Sequence, residues 1–189
     1  YPYRRSSLYG IIFSVSLCAS LYGTYEAFRI PDVNTHEITI KNLGSEFDGL
    51  KIAMLVDTHI DQLTNKKFVE AVVNKTNELK PDLIVMPGDF VDGQVVLRSA
   101  DVEPLKNLKA TLGVYATTGN HEYYFDFEGW LKYFKELGIR FLDNENVIFT
   151  SGESKLVLAG MPDQTSRNQK LDLTLKDIPE NSPVILMDH

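Results

Sequence analysis

The chain has 189 residues, of which 43% are hydrophobic and 24% are charged, with one cysteine and a formal net charge of −7. This composition suits a globular domain and argues against a disordered chain. The single cysteine excludes an intrachain disulfide and a cysteine-based zinc site. The acidic balance argues against a specific nucleic-acid partner.

A long uncharged segment lies near the N-terminus. Residues 6–25 contain no Asp, Glu, Lys or Arg, and a helix needs about 20 mostly apolar residues to cross a bilayer. Aromatic residues are enriched at membrane surfaces, and four tyrosines lie towards the ends of this segment: Tyr3, Tyr9, Tyr22 and Tyr25. We predict a transmembrane or signal-anchor helix in residues 1–29, with a signal peptide or a buried soluble helix as alternatives.

The charges on either side of this helix predict its orientation. Arg4 and Arg5 precede the uncharged segment, whereas the flank after it has mixed charges. Because positively charged flanks tend to stay in the cytoplasm, we expect the helix to anchor the chain in the cell membrane. The domain formed by residues 30–189 would then lie on the extracytoplasmic side.

Beyond Pro31, apolar segments alternate with amphipathic ones, which predicts an α/β fold with parallel strands and right-handed crossovers. The run of strands near the end of the chain predicts a second sheet packed on the first. Strand character is found in residues 36–43, 50–57, 82–89, 113–120, 139–150, 154–160 and 183–189. Helical character is found in residues 65–80, 99–110, 127–138 and 171–178, with Ser99 as the expected N-cap of the second helix and Gly138 ending the third.

Side chains that bind metal ions follow four of these strands. In open α/β sheets, ligands bind at the carboxyl ends of the strands. A single Asp or His at such a place is usually a turn residue or a helix cap, but their joint occurrence predicts one shared metal site. The residues are Asp57 and His59, Asp89, Asn120 and His121, and His189.

Nitrogen and carboxylate ligands without thiolates favour Zn, Mn or Fe over a pure Mg or Ca site. Two such ions held about 3.5–4 Å apart clamp the attacking and leaving oxygens of an in-line displacement. They also acidify a bound water to give hydroxide near neutral pH. Hydrolysis of a phosphate ester is the reaction that best uses such a pair.

Three motifs make the comparison with a known family specific. The sequences DTH (57–59), GDFVD (88–92) and GNHE (119–122), in this order after strands, resemble the calcineurin-like metallophosphoesterases. Within the family the chain resembles the membrane-anchored bacterial branch, and the resemblance covers residues 36–189. It implies a two-sheet sandwich flanked by helices, with layers in the order α-β-β-α. It also implies a metal-dependent phosphoesterase with two divalent transition metal ions (Mn, Zn or Fe) and a metal-bound hydroxide.

The resemblance assigns ligands by position. Asp57 and His59 would bind the first ion, Asp89 would bridge both ions, and Asn120 and His189 would bind the second. The expected substrate is a phosphorylated small molecule or a lipid-linked phosphate or pyrophosphate.

Other matching residues would act without binding metal. His121 would be the catalytic general acid for the leaving oxygen, or a donor to the developing charge. Asp92 and Glu122 would orient the ligands. Three nearby aromatic residues, Tyr123, Tyr124 and Trp130, are candidates for lining a substrate cleft, although packing is the commoner role.

The chain departs from the family pattern in two places. Val56 stands where the family commonly has Ser. The family also completes its site with a downstream Gly-His-x-His element, and no histidine follows His189. We therefore expect a domain truncated at its C-terminal end. The alternative is a membrane-tethered binding module on the same fold that has lost catalysis.

Overall fold

The computed structural model describes residues 2–189, with side chains from residue 5 onward. Tyr3 and Arg4, which enter the membrane prediction, lie outside the residues whose side chains are described. The chain divides into two compact units, residues 1–33 and residues 34–189.

The first unit is a single long helix, α1 (Pro2–Phe28). Its segment Arg5–Phe28 has a mean hydropathy of 1.4, and it is long and apolar enough to cross a membrane. None of that segment is buried, which argues against a core helix of a soluble protein. A signal sequence has the same length and composition.

The second unit contains a four-stranded parallel sheet whose strands follow one another in chain order. The strands are β1 (Ile52–Met54), β2 (Leu83–Pro87), β3 (Val114–Thr117) and β4 (Arg140–Phe141). The helices of the connections are α2 (Lys66–Glu78), α3 (Val95–Val102), α4 (Asn120–Tyr124) and α5 (Phe127–Glu136). Because all four strands run in the same direction, their carboxyl ends lie at one edge of the sheet. The helices form the crossover connections that parallel neighbours require.

Strand β2 is buried on both faces and separates two hydrophobic cores. Ile84 and Met86 pack with helices α2, α3 and α5, where Trp130 and Phe134 are fully buried. Leu83 faces the opposite side, because successive residues of a strand point to opposite faces.

A second, three-stranded sheet covers that opposite face. It consists of β5 (Glu145–Ser151), β6 (Ser154–Gly160) and β7 (Val184–Met187), with β5 antiparallel and β7 parallel to β6. Leu156, Leu158 and Met187 pack with Leu83 in the core between the sheets. The short helix α6 (Leu171–Thr174) lies near β5. The predicted α/β sandwich of two sheets with flanking helices is confirmed.

Two predicted elements are wrong. Residues 36–43 form no strand, and Ile38 is 76% exposed. Alternation of apolar and polar residues makes a strand possible, but a strand also needs a neighbour to accept its backbone hydrogen bonds.

The second predicted helix begins earlier than Ser99. Helix α3 starts at Val95 after Gln94, whose extended backbone marks the N-cap, and a 3-10 helix with Pro104 follows. The spacing of apolar residues did not indicate the first turn, because Val96 and Leu97 are apolar but exposed and so do not mark the buried face of the helix.

Candidate metal centre

The turns after β1 and β2 have an unusual backbone. Asp57, His59 and Asp89 have φ values of 52°, 38° and 55°, in the left-handed region that residues other than glycine seldom adopt. The two turns support each other, since the His59 amide donates to the Asp89 carbonyl at 3.1 Å. Such backbone strain concentrates at functional sites, where surrounding contacts hold it in place.

One cluster of possible ligands joins three strand ends. His59, Asp89 and His121 each offer a ligand atom, and these atoms lie within 4.8 Å of one another. The Nε2 atoms of His59 and His121 lie 3.7 and 3.9 Å from Oδ2 of Asp89. The expected first-ion residue Asp57 also lies close, with Oδ1 3.8 Å from Nε2 of His59.

A second cluster shares Asp89 with the first. It consists of Asp57, Asp89 and His189, again with ligand atoms within 4.8 Å. Nε2 of His189 lies 3.3 Å from Oδ2 of Asp89 and 4.0 Å from Oδ1 of Asp57. Asp89 therefore stands between the two clusters, and only 4% of it is exposed.

The tautomer of His189 shows what the second cluster can hold. Its Nδ1 lies 2.9 Å from the carbonyl oxygen of Pro87, and a carbonyl only accepts, so Nδ1 carries a proton. In the neutral ring Nε2 then presents a lone pair towards Asp89. The lone pairs of Nε2 and of the Asp89 carboxylate oxygen then face each other, and a proton or a metal ion between these two atoms removes their repulsion. Burial opposes protonation, but the Pro87 carbonyl and the charges of Asp89 and Asp57 raise the pKa of His189.

The charges of the site also fit divalent cations. Among the described residues, the ion pairs of Asp57, Asp89 and Asp92 are all with histidines and none with lysine or arginine. Asp89 is buried, and a buried carboxylate needs a compensating charge. Imidazole nitrogen with carboxylate oxygen is the donor set of Zn, Mn and Fe sites.

Asp92 lies behind two of the histidines. Its Oδ1 accepts from Nδ1 of His121 at 2.5 Å and lies 3.4 Å from Nδ1 of His59. Both rings therefore turn Nε2 towards Asp89. This is the position that an orienting carboxylate needs.

Glu122 is 1% exposed and ties two strand ends together. Its carboxylate accepts from the amides of Asp89 at 3.0 Å, Phe90 at 2.8 Å and Gly119 at 2.7 Å. Burial raises the pKa of Glu122, and the three amide donors act against that rise.

Two glycines allow the strand ends to approach closely. A Cβ at Gly88 would lie 2.7 Å from Cα of Gly119 and 2.8 Å from Cγ of His189. A Cβ at Gly119 would overlap the carboxylate and the backbone nitrogen of Asp89. The site can therefore close only with glycine at both positions.

The structure thus brings five of the six residues predicted as metal ligands or general acid into the two clusters: Asp57, His59, Asp89, His121 and His189. The sixth, Asn120, is the half-buried first residue of α4, directly between Gly119 and His121. The first cluster includes His121, for which the family resemblance implies a role other than metal binding. Of the three cleft candidates, Tyr124 lies beside His121, Tyr123 contacts Thr118, and Trp130 is buried in the core and lines no cleft.

Sequence reasoning missed a network that supports the GNHE turn. Thr118 donates its amide and its hydroxyl to the two carboxylate oxygens of Asp143, both at 3.1 Å, and its hydroxyl lies 2.9 Å from that of Tyr123. Burial raises the pKa of Asp143. No local motif marks Asp143, because it meets Thr118 only through the fold.

The structure is an α/β sandwich with histidine and aspartate clusters that could hold metal ions at its strand ends. Residues 50–189 match the sequence model of the calcineurin-like phosphoesterases, and the chain belongs to this family. The chain is therefore a member of a family of phosphoester hydrolases.

Similar proteins occur in animals and bacteria. The chain is 31% identical to a transmembrane protein with metallophosphoesterase domain from Danio rerio, over 98% of the chain and 44% of that protein. It is 32% identical to an uncharacterized metallophosphoesterase from Helicobacter pylori (strain ATCC 700392 / 26695), over 98% of the chain and 51% of that protein. The chain thus spans about half the length of these relatives.

Two further similarities are more limited. UDP-2,3-diacylglucosamine pyrophosphatase LpxG from Chlamydia muridarum is 37% identical over 40% of the chain and 23% of that protein. The solved structure of Haemophilus influenzae NAD nucleotidase matches with a TM-score of 0.50 and 22% identity, over 74% of the chain and 38% of that structure. This structural similarity supports the fold.

Proposed function

We propose that the domain hydrolyses a phosphate ester or pyrophosphate at a dinuclear metal centre. The observation that carries the proposal is the position of Asp89, whose Oδ2 lies within 4 Å of histidines from both clusters. A carboxylate shared in this way suits a bridging ligand. Asp57 and His59 would hold the first ion, and Asn120 and His189 the second, with Asp89 between them.

When bound, two divalent ions supply positive charge for the phosphoryl oxygens and an acidified water as nucleophile. The protein provides the acid. Asp92 accepts a hydrogen bond from Nδ1 of His121 and so leaves Nε2 facing Asp89, where the ring would pass a proton to the leaving oxygen. The expected substrate is a phosphorylated small molecule or a lipid-linked phosphate, and the similarity to a diacylglucosamine pyrophosphatase supports the second.

We further propose that α1 anchors the protein in the cell membrane with residues 30–189 on the extracytoplasmic side. The uncharged length of α1 and its transmembrane-named relatives support the anchor. Fusion of a reporter after His189 that is active only outside the cytoplasm tests the orientation. Activity of a second reporter that works only in the cytoplasm, fused at the same place, would show the opposite orientation.

Metal removal tests the proposed reaction directly. We expect full-length protein treated with EDTA to lose hydrolysis of phosphate monoesters, diesters or lipid pyrophosphates, and to regain it with Mn²⁺, Zn²⁺ or Fe²⁺. Metal analysis of the untreated protein should find up to two ions per chain. Hydrolysis that persists without metal would contradict the mechanism. Full folding with neither metal nor hydrolysis would favour a binding module that has lost catalysis.

Replacing Asp92 by asparagine should weaken the orientation of two histidines at once. We expect Asp92→Asn to lower kcat or metal affinity about 10- to 100-fold, which is the usual effect of losing such a partner. Asp48→Asn is a matched control, because Asp48 is exposed and lies outside the site. Equal kcat and metal affinity in Asp92→Asn and the wild type would show that Asp92 does not orient the two histidines.

A further inference from the structure

Four apolar side chains are exposed on two neighbouring segments beside the candidate metal centre. Val96 and Leu97, in the first turn of α3, are 80% and 64% exposed. Tyr124 and Phe125, at the end of α4, are 61% and 44% exposed. We call these four residues the apolar rim.

The rim adjoins the proposed general acid. The ring centroids of Tyr124 and Phe125 lie 5.5 and 6.3 Å from that of His121. The other half of the rim is tied to the same place, because the amide of Val95 lies 3.4 Å from a carboxylate oxygen of Asp126, the residue after Phe125. A group that contacts Tyr124 and Phe125 would therefore also lie beside His121.

The hydrophobic core does not account for these side chains. In α3, Val102 is fully buried and Val95 packs against the core, whereas Val96 and Leu97 face away. Single exposed apolar residues are normal on protein surfaces. Several beside one functional site mark a surface that binds an apolar partner.

We propose that the rim binds the acyl or alkyl chain of a phosphoester substrate whose phosphate occupies the metal centre; this inference rests on the proposed function. The adjacency to His121 favours part of the substrate over a separate protein, since a protein seated there would block the reacting end. The four side chains of the rim are uncharged and apolar, which suits a hydrocarbon chain. Arg98 and Asp126 directly follow the two segments in the chain.

A series of alkyl phosphates tests the proposal with full-length protein in lipid nanodiscs. The wild-type kcat/KM should rise from butyl to hexyl to octyl phosphate. A fully buried methylene raises kcat/KM up to about fourfold. On the open rim we expect about twofold for each added methylene. The variants Tyr124→Ser/Phe125→Ser and Val96→Ser/Leu97→Ser should each reduce the octyl-to-butyl ratio at least about threefold.

Ile38→Ser is the matched control, because Ile38 is an equally exposed apolar residue outside the rim. It should keep the wild-type ratio, so partition of octyl chains into the nanodisc cannot explain a loss in the rim variants. A wild-type kcat/KM that does not rise with chain length, or rim variants with an unchanged ratio, would overturn the proposal. In that case the rim would serve a bilayer surface or a protein instead.

A binding measurement distinguishes failure of this inference from failure of the proposed function. If the wild type hydrolyses no alkyl phosphate, the proposed function fails on these substrates, and calorimetry with octylphosphonate and butylphosphonate then decides the rim. Tighter binding of octylphosphonate to the wild type, lost in both rim variants and kept in Ile38→Ser, supports it. Equal binding of the two phosphonates overturns it.

Discussion

Asp89→Ala in the full-length protein is expected to lower metal-dependent phosphoester hydrolysis at least about 10³-fold, because it removes the carboxylate shared by both clusters. The loss should exceed that of any change confined to one cluster. Asp89 is buried, and its Oδ1 also accepts from the amide of His121 at 2.9 Å. The substitution therefore disturbs the position of the acid as well as the metal ligands.

Three measurements on one preparation check this expectation: metal content, kcat and the unfolding midpoint. Asp89→Asn keeps the shape and one acceptor oxygen but removes the charge, so it should lose metal with a smaller loss of stability. Asp48→Ala is the matched control and should retain activity. Wild-type turnover in Asp89→Ala would refute the dinuclear site.

Glu122→Gln is expected to reduce the free energy of unfolding of the domain by about 1–3 kcal/mol. The three groups around the carboxylate, the amides of Asp89, Phe90 and Gly119, are all donors. A glutamine offers one acceptor oxygen and directs its NH₂ group at one or two of those donors. At least one buried amide then loses its partner.

Denaturant unfolding followed by tryptophan fluorescence measures this loss, because the only tryptophan, Trp130, is buried in the core of the same domain. Glu136→Gln, at an exposed position of α5, should change the stability by less than about 0.5 kcal/mol. Equal stability of the two variants would show that the buried carboxylate contributes nothing to the domain.

The parts of the fold with local signals could be predicted from the sequence. Helix α2 begins after Asn65, whose side chain accepts from the amide of Lys67, and α5 ends before Gly138 with its positive φ. The apolar strands and the polar residues that follow them also lie close together in the chain. Each of these features is decided within a few residues.

The parts that depend on distant partners could not be predicted. Residues 36–43 alternate like a strand but have no neighbouring strand. Asp143 supports Thr118 across 25 residues, and no motif connects them. The rim is also invisible to periodicity, because apolar residues in a sequence predict burial, and only the structure shows that Val96 and Tyr124 are exposed.

The two clusters draw on different layers of the sandwich. His59, Asp89 and His121 all follow strands of the first sheet, whereas His189 follows β7 of the second. Any ion in the second cluster would therefore link the two sheets. Its binding free energy would add to the stability of their association. An ion in the first cluster needs only the loops of one sheet.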